Sequence, residues 1–368
     1  MNITINRRSF LAAGASAAAL GGLGLTTKIA SAQDTNELRI LVYGGDAGKA
    51  VIEAYVKPFE AETGIKVTPV TDQIDFAQIE LMVTNNSISV DVAGIPQSGA
   101  LAAAEKGYLE EIDYSKFKKE ELDGIVDFAK EKFGVSALIY SYVMVYNTEK
   151  FPAGKPRPGS WAEFWDVEKF PGVRTLVSGQ NGQEGPWEEA LLADGVAPNA
   201  LYPMDIDRIF KSLDRIKPHI RKWWGTGSEI QQIMHDKVAD VMNSYDGRAT
   251  LLIDQGSPLE VNRNQAKLTQ DFWVIPKGSP NAKNAQKFVE FATRADRQAA
   301  FAQLIPYGPS NLNAFKHLPD ALGRKLASHP DYIKSSIPLN MNWYGAVGSD
   351  GISNTERLIQ RWNEWILI

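Results

Sequence analysis

Three short stretches of this 368-residue chain set chemically able side chains beside turn residues. Tyr245-Asp246-Gly247-Arg248 follows an apolar run, Val238–Ser244, expected to be a strand. Trp223-Trp224-Gly225-Thr226-Gly227 places two indoles before a glycine turn. Gly182-Gln183-Glu184-Gly185-Pro186-Trp187 offers a carboxylate and an indole after a further expected strand, Arg174–Val177. Carboxylates attract ammonium groups, and aromatic faces take methylenes and cations, a desolvated cation–π contact being worth ~2 kcal/mol. If Arg248 turns inward beside Asp246, the turn suits a zwitterion, with arginine for a carboxylate and aspartate for an ammonium. If it turns outward, it only starts the next helix. Alternation lets at most one of Trp223 and Trp224 face a ligand, the other packing in a core. Glu184 reads either as a ligand carboxylate or as an acidic residue favoured at a helix start.

Other chemistries find little support. The four histidines, His219, His235, His317 and His329, form no H-x-x-x-H pair and no ligand-spaced carboxylate cluster, so no metal site is expected. No nucleophile elbow or P-loop is present, and Gly44-Gly45-Asp46-Ala47-Gly48 lacks dinucleotide-loop spacing, so no cofactor is expected. With 44% hydrophobic and 23% charged residues the chain is globular rather than disordered. Net charge is −5, and −8 without the basic residues Arg7, Arg8 and Lys28, which disfavours nucleic acid as a partner.

The first 32 residues have the layout of an export signal: Arg7-Arg8-Ser9-Phe10-Leu11, a small-residue apolar run to Leu25, and Ala30-Ser31-Ala32 as a cleavage site. The adjacent arginines point to the twin-arginine route. Cleavage would leave Gln33–Ile368. The run is too short and too rich in Gly and Ala to span a bilayer, and no later run reaches ~18 apolar residues. There is no cysteine, hence no disulfide and no lipid attachment point. A freely diffusing exported monomer implies the periplasm of a Gram-negative cell.

The elements that must position these residues alternate. Glu37–Tyr43 reads as a strand, Lys49–Thr63 as a helix stopped by Gly64, Ile65–Val70 as a strand, Asp75–Asn85 as a helix, Val90–Gly94 as a strand and Gly99–Lys106 as a helix. This order implies a parallel sheet whose ligand loops, around Tyr43–Asp46, Gln73–Phe76 and Ile95–Ser98, share the rim beyond the strand ends. Gly134–Tyr146 is too long for one buried strand and would run from one lobe into another. Ser160-Trp161-Ala162-Glu163 reads as a capping box, with Trp161 and Trp165 in a core. Helices are expected over Trp187–Asp194, Asp205–Ile216, Ser228–Asp236, Asn284–Phe301 and Glu356–Trp365, and a strand over Phe272–Pro276.

Four blocks, in order, resemble the periplasmic solute-binding proteins of ABC transporters, in particular the spermidine/putrescine branch. They are Phe59-Glu-Ala-Glu-Thr-Gly64-Ile-Lys-Val, Val145-Tyr-Asn147 to Ser160-Trp-Ala-Glu-Phe-Trp165 and Phe170-Pro-Gly172, Ile275-Pro-Lys-Gly-Ser-Pro-Asn-Ala-Lys-Asn284, and Ile305-Pro-Tyr307-Gly-Pro-Ser-Asn311. The resemblance implies an α/β, two-lobed binding-protein fold, each lobe a mostly parallel sheet flanked by helices and joined by crossover strands. It implies lobe 1 over 33–140 with 270–315 and lobe 2 over 141–269 with 316–368. It implies that hinge closure captures a small amine, which passes to a membrane permease. It nominates Tyr245, Asp246 and Asp271, with Asp46, Tyr307 and Trp343 from further blocks and Tyr43 and Ser98 from strand-end loops, beside Glu184, Trp223 and Trp224. The tryptophan usual in the family two residues before the Asp271 position is Thr269 here. The alternatives are a zwitterion such as an amino acid, γ-aminobutyrate or an opine-like compound; ferric iron, for which no adjacent tyrosine pair exists; and a carboxylate-dependent hydrolase or lyase using Asp246 and Asp271.

Overall fold

The computed structural model describes residues 36–42, 45–71 and 76–368, with residues 45 and 46 by backbone alone. The expected signal and cleavage site, Tyr43 and the Asp46 side chain lie outside the described residues.

Strand β1, Glu37–Leu41, pairs in parallel with β2, Lys66–Val70. The crossover between them is helical over Gly45–Val51, π-helical over Ile52–Val56 and α-helical again over Lys57–Thr63. The wider turn brings three consecutive residues, Ala54, Tyr55 and Val56, into the core. Gly64 ends the helix in the left-handed region at φ 68°, donating its N–H to the Glu60 carbonyl, a conformation that favours glycine. Val92 bridges Ile40, and the chain then turns into β3, Ala93–Pro96, before the helix Gln97–Glu105.

The organising feature is a pair of long antiparallel strands. The short strand β4, Lys130–Glu131, turns back into β5, Gly134–Asn147. Next in the chain come β6, Arg174–Val177, β7, Ile220–Trp224, and β8, Val241–Tyr245. After them β9, Leu259–Val274, runs back along β5, from Asn147 opposite Leu259 to Val135 opposite Trp273. The short β10, Ile337–Pro338, completes the set. The sheet order is β10-β9-β5-β8-β6-β7, with β3 on β9. The pairs β1/β2, β6/β7, β6/β8 and β9/β10 are parallel; β3 and β5 against β9, and β8 against β5, are antiparallel. The architecture is therefore α/β, with parallel strands where helices make the crossovers.

Apolar cores form against both ends of the long pair. One gathers Leu38, Phe59, Val135, Trp273 and Phe288. At the other end Met144, Trp161, Trp187, Phe210 and Trp362 form a second, and Tyr142, Trp224, Ile230 and Met242 a third. Trp161 is thus core, as expected; Trp165 packs half-buried at the edge, its Nε1 donating to the Ser212 carbonyl at 3.0 Å.

Two expectations need correction. The strand expected over Phe272–Pro276 is the last part of β9, sixteen residues long. The helix expected over Asn284–Phe301 is two, Ala282–Ala292 and Ala295–Leu304. Arg294 between them is extended, and its guanidinium bridges Glu290 and Glu62. The Thr293 hydroxyl donates back to the Val289 and Glu290 carbonyls, which ends the first helix.

Candidate functional site

The side-chain period of two lines up one face of the long pair. On β9 that face carries Lys267, Thr269 and Asp271; opposite them on β5 stand Tyr142, Tyr140 and Leu138. The row extends from Asp271 to Pro96 on β3, and from Tyr142 to Tyr245 on β8. A cavity of about 340 Å³ opens over this face. Asp271, Leu138 and Pro96 line one side; Tyr245, Gly247, Arg248 and Gly227 line the other, with Tyr140 between, and Tyr307 and Phe301 complete the lining.

The Arg248 side of the cavity carries strong donors. Arg248 lies in the first turn of the helix Asp246–Asp254, and its guanidinium sits directly over Gly227, where a Cβ would collide with it. Nη1 donates to Gln231 Oε1 at 2.6 Å. Gly227 itself opens the helix Gly227–His235, capped by Thr226, whose Oγ1 accepts from the Glu229 N–H at 3.2 Å. A guanidinium and two helix N-termini therefore share this side, and all three favour an anion.

The Asp271 side carries the opposite sign. Tyr307 reports both: burial raises its hydroxyl pKa, the Asp271 carboxylate raises it further, and Arg248 pulls it down. The cavity thus presents a carboxylate and a guanidinium within electrostatic reach of one phenol.

Behind the cavity Glu184 gathers hydroxyls. Its Oε1 accepts from Tyr140 at 3.1 Å and Thr269 at 3.3 Å, and its Oε2 from Tyr142 at 2.5 Å. Tyr142 and Tyr245 share a further hydrogen bond at 2.9 Å. Burial and the Glu184 carboxylate push the hydroxyls of Tyr140, Tyr142 and Tyr245 up, so all three stay protonated. Below them Lys267 Nζ, fully buried, donates to the Gly185 carbonyl at 2.6 Å and to Glu189 Oε2 at 3.0 Å, with Glu188 Oε2 at 3.3 Å.

Residues 54–325 match the family described as bacterial extracellular solute-binding proteins. The chain belongs to that family. It is 29% identical over 347 residues to the gamma-aminobutyric acid-binding protein of Pseudomonas aeruginosa, covering 93% of this chain and 94% of that one. It is 24% identical over 340 residues to the spermidine/putrescine-binding periplasmic protein of Escherichia coli, covering 90% and 93%. The crystal structure of an ABC transporter substrate-binding protein from Bradyrhizobium japonicum superposes with a TM-score of 0.79 at 30% identity, covering 90% of this chain and 99% of that one. This solute-binding protein is the capture component of an ABC transporter, working outside the cytoplasm and delivering a small molecule to a membrane permease. It is not an enzyme.

Of the residues nominated from the sequence, the solute-binding protein brings Tyr245, Asp271 and Tyr307 to the cavity wall. Glu184 stands behind the tyrosines. Asp246 is buried and already partnered: Oδ1 accepts from the Ser141 N–H and Oδ2 from Arg263 Nη1, each at 3.0 Å. Trp224 is sealed in a core, Nε1 donating to Asn243 Oδ1 at 3.0 Å, its ring stacked on Tyr142. Trp223 points away, edge-on to Trp362 and Trp365. Trp343 packs on Tyr202 and Tyr344, and Ser98 is exposed on the helix Gln97–Glu105. None of these five lines the cavity. Tyr140 joins the cavity as well, and its alternation with Tyr142 along an apolar strand is the sequence signal for it. Leu138, Pro96 and Phe301 left no signal, because only the tertiary register makes them neighbours of Asp271.

Proposed function

We propose that this solute-binding protein captures a small zwitterion with a primary amine at one end and a carboxylate at the other, of the γ-aminobutyrate class. The observation that carries the reading is that Arg248 and Asp271 line one cavity. The carboxylate would meet Arg248 and the two helix N-termini, the ammonium Asp271 and the tyrosines. A polyamine fits less well: it has no anion for Arg248, and two like charges ~5 Å apart repel by ~3 kcal/mol at an effective dielectric of about 20. The likeness to a γ-aminobutyrate-binding relative over 93% of the chain points the same way.

In this reading lobe 1 comprises 33–140 with 270–315 and lobe 2 comprises 141–269 with 316–368. The long β5/β9 pair crosses between them, and ligand bridging Asp271 and Arg248 shifts the population toward the closed form. The protein works as a periplasmic monomer exported by the twin-arginine route. Support for that route is the Arg7-Arg8 motif and the cleavage site ending at Ala32.

Thermal unfolding of the purified protein with γ-aminobutyrate, putrescine and spermidine tests the ligand class. A ligand at about 100 times its Kd adds ~2.7 kcal/mol and raises Tm visibly. A rise with γ-aminobutyrate and none with putrescine is expected; the reverse result sinks the zwitterion reading.

A further inference from the structure

The hydroxyl protons around Glu184 can be counted, and the count bears on which ligand head group the site accepts. A carboxylate only accepts, and a phenol has one proton to give. Tyr140 and Tyr142 each spend theirs on Glu184, at 3.1 and 2.5 Å. With the Tyr142 proton committed, the 2.9 Å contact between Tyr142 and Tyr245 requires Tyr245 to be the donor. Thr269, the residue between Lys267 and Asp271 on this face, turns its hydroxyl to the same carboxylate at 3.3 Å. Tyr140 and Tyr245 line the cavity, so what they offer it is oxygen lone pairs.

The geometry points to Glu184 as a positioning residue that fixes the Tyr140 and Tyr245 hydroxyls as acceptors toward the cavity, so that the site selects a primary ammonium, with its N–H donors, over a quaternary one. Aromatic faces alone would not discriminate this way, because a trimethylammonium group suits a ring face well. Two phenol oxygens held as acceptors do, since a head group without N–H leaves them desolvated and unpaired. The turn bearing Glu184 is itself fixed from below. Lys267 Nζ bonds the Gly185 carbonyl at 2.6 Å and approaches that of Glu184 at 3.3 Å. Trp187 Nε1 donates to the Gly182 carbonyl at 2.7 Å. The carboxylate is therefore a preset part of the wall. This inference rests on the zwitterion reading and adds to it the nature of the cationic end.

The test is calorimetric titration of the full exported protein and its variants with γ-aminobutyrate and its N-trimethyl analogue. The wild-type protein is expected to prefer the primary amine by at least roughly tenfold. In Glu184→Gln the amide N–H donates into a phenol oxygen and turns that hydroxyl toward the cavity. The preference should then collapse through weaker amine binding, while affinity for the trimethyl compound stays within about twofold. Tyr140→Phe removes one acceptor and should move the ratio in the same direction, which keeps the test open if Glu184→Gln does not fold. A wild-type protein that binds both compounds equally, or a ratio unchanged in the variants, overturns the role of Glu184 alone. Failure of γ-aminobutyrate itself to bind the wild-type protein overturns both this inference and the zwitterion reading.

Discussion

Lys267 Nζ donates to the carbonyl oxygen of Gly185 at 2.6 Å, so a buried ammonium on β9 holds the turn that carries Glu184. The same ammonium lies between the carboxylates of Glu188 and Glu189, and Glu188 also accepts from Tyr202 and Tyr344 at 2.5 and 2.6 Å. Burial works against the Lys267 charge, but Glu189 and Glu188 outweigh it and hold its pKa above the ordinary lysine range.

Replacing Lys267 by Met leaves two buried carboxylates without their cation. Breaking one partner out of a buried ion cluster costs ~3–5 kcal/mol, and urea unfolding at neutral pH should show a loss of that size. The raised pKa sets the direction of the pH dependence. The contribution is present at neutral pH and is lost only as pH rises through the raised value, so the gap between wild type and variant should narrow in strong alkali.

Arg248→Ala should separate binding from folding. The guanidinium faces the cavity, and among the described residues its hydrogen bond to Gln231 is the one seen. Calorimetry with γ-aminobutyrate should show Kd weakened by about 100-fold, ~3 kcal/mol, with Tm of the ligand-free protein shifted by no more than a few degrees.

Gly227→Ala tests the seat of the guanidinium. The atoms a Cβ there would meet first are those of the Arg248 guanidinium, so the arginine moves and the helix stays. Affinity for a carboxylate ligand should fall by roughly tenfold, ~1.4 kcal/mol, while circular dichroism stays that of the wild type.

Acid stability should depend on Asp91, just before β3. Burial alone would raise its carboxyl, but the hydrogen bonds of Arg39, then those of Asn281 and Ser279, more than offset this and hold it below the ordinary carboxylate range. Its stabilising contribution is therefore complete above the unfolded-state value of about 3.9 and is lost as pH falls through the lowered one. Asp91→Asn should cost about 2 kcal/mol at pH 7, and the two unfolding curves should converge toward strong acid.

How much of this was legible in the sequence depended on whether the signal was local. The crossover helices, Gly64 as a stop and the length of β5 all follow from periodicity and turn residues. The first part of β9, Glu260-Val-Asn-Arg-Asn-Gln265, has no such pattern; it is a strand because Met144–Asn147 of β5 pairs with it. The turn Tyr245–Arg248 shows the limit most sharply. Asp246 and Arg248 are two residues apart on one helix and point ~200° apart, so only one can face the cavity. Which one is decided by the Ser141 N–H and Arg263, both outside the turn, which take the aspartate and leave the arginine facing the cavity.

The pairing of β5 with β9 slips register twice, between Ser136 and Leu138 and between Tyr142 and Met144. Such irregularities concentrate bend and twist where they occur. Between them the stretch from Leu138 to Tyr142 keeps regular register, a straight gauge of ~13 Å at the usual rise per residue. Asp271 is mounted at one mark and Tyr245 at the other. The spacing between the strand positions that carry Asp271 and Tyr245 is thus metered by strand rise instead of by pliable loops.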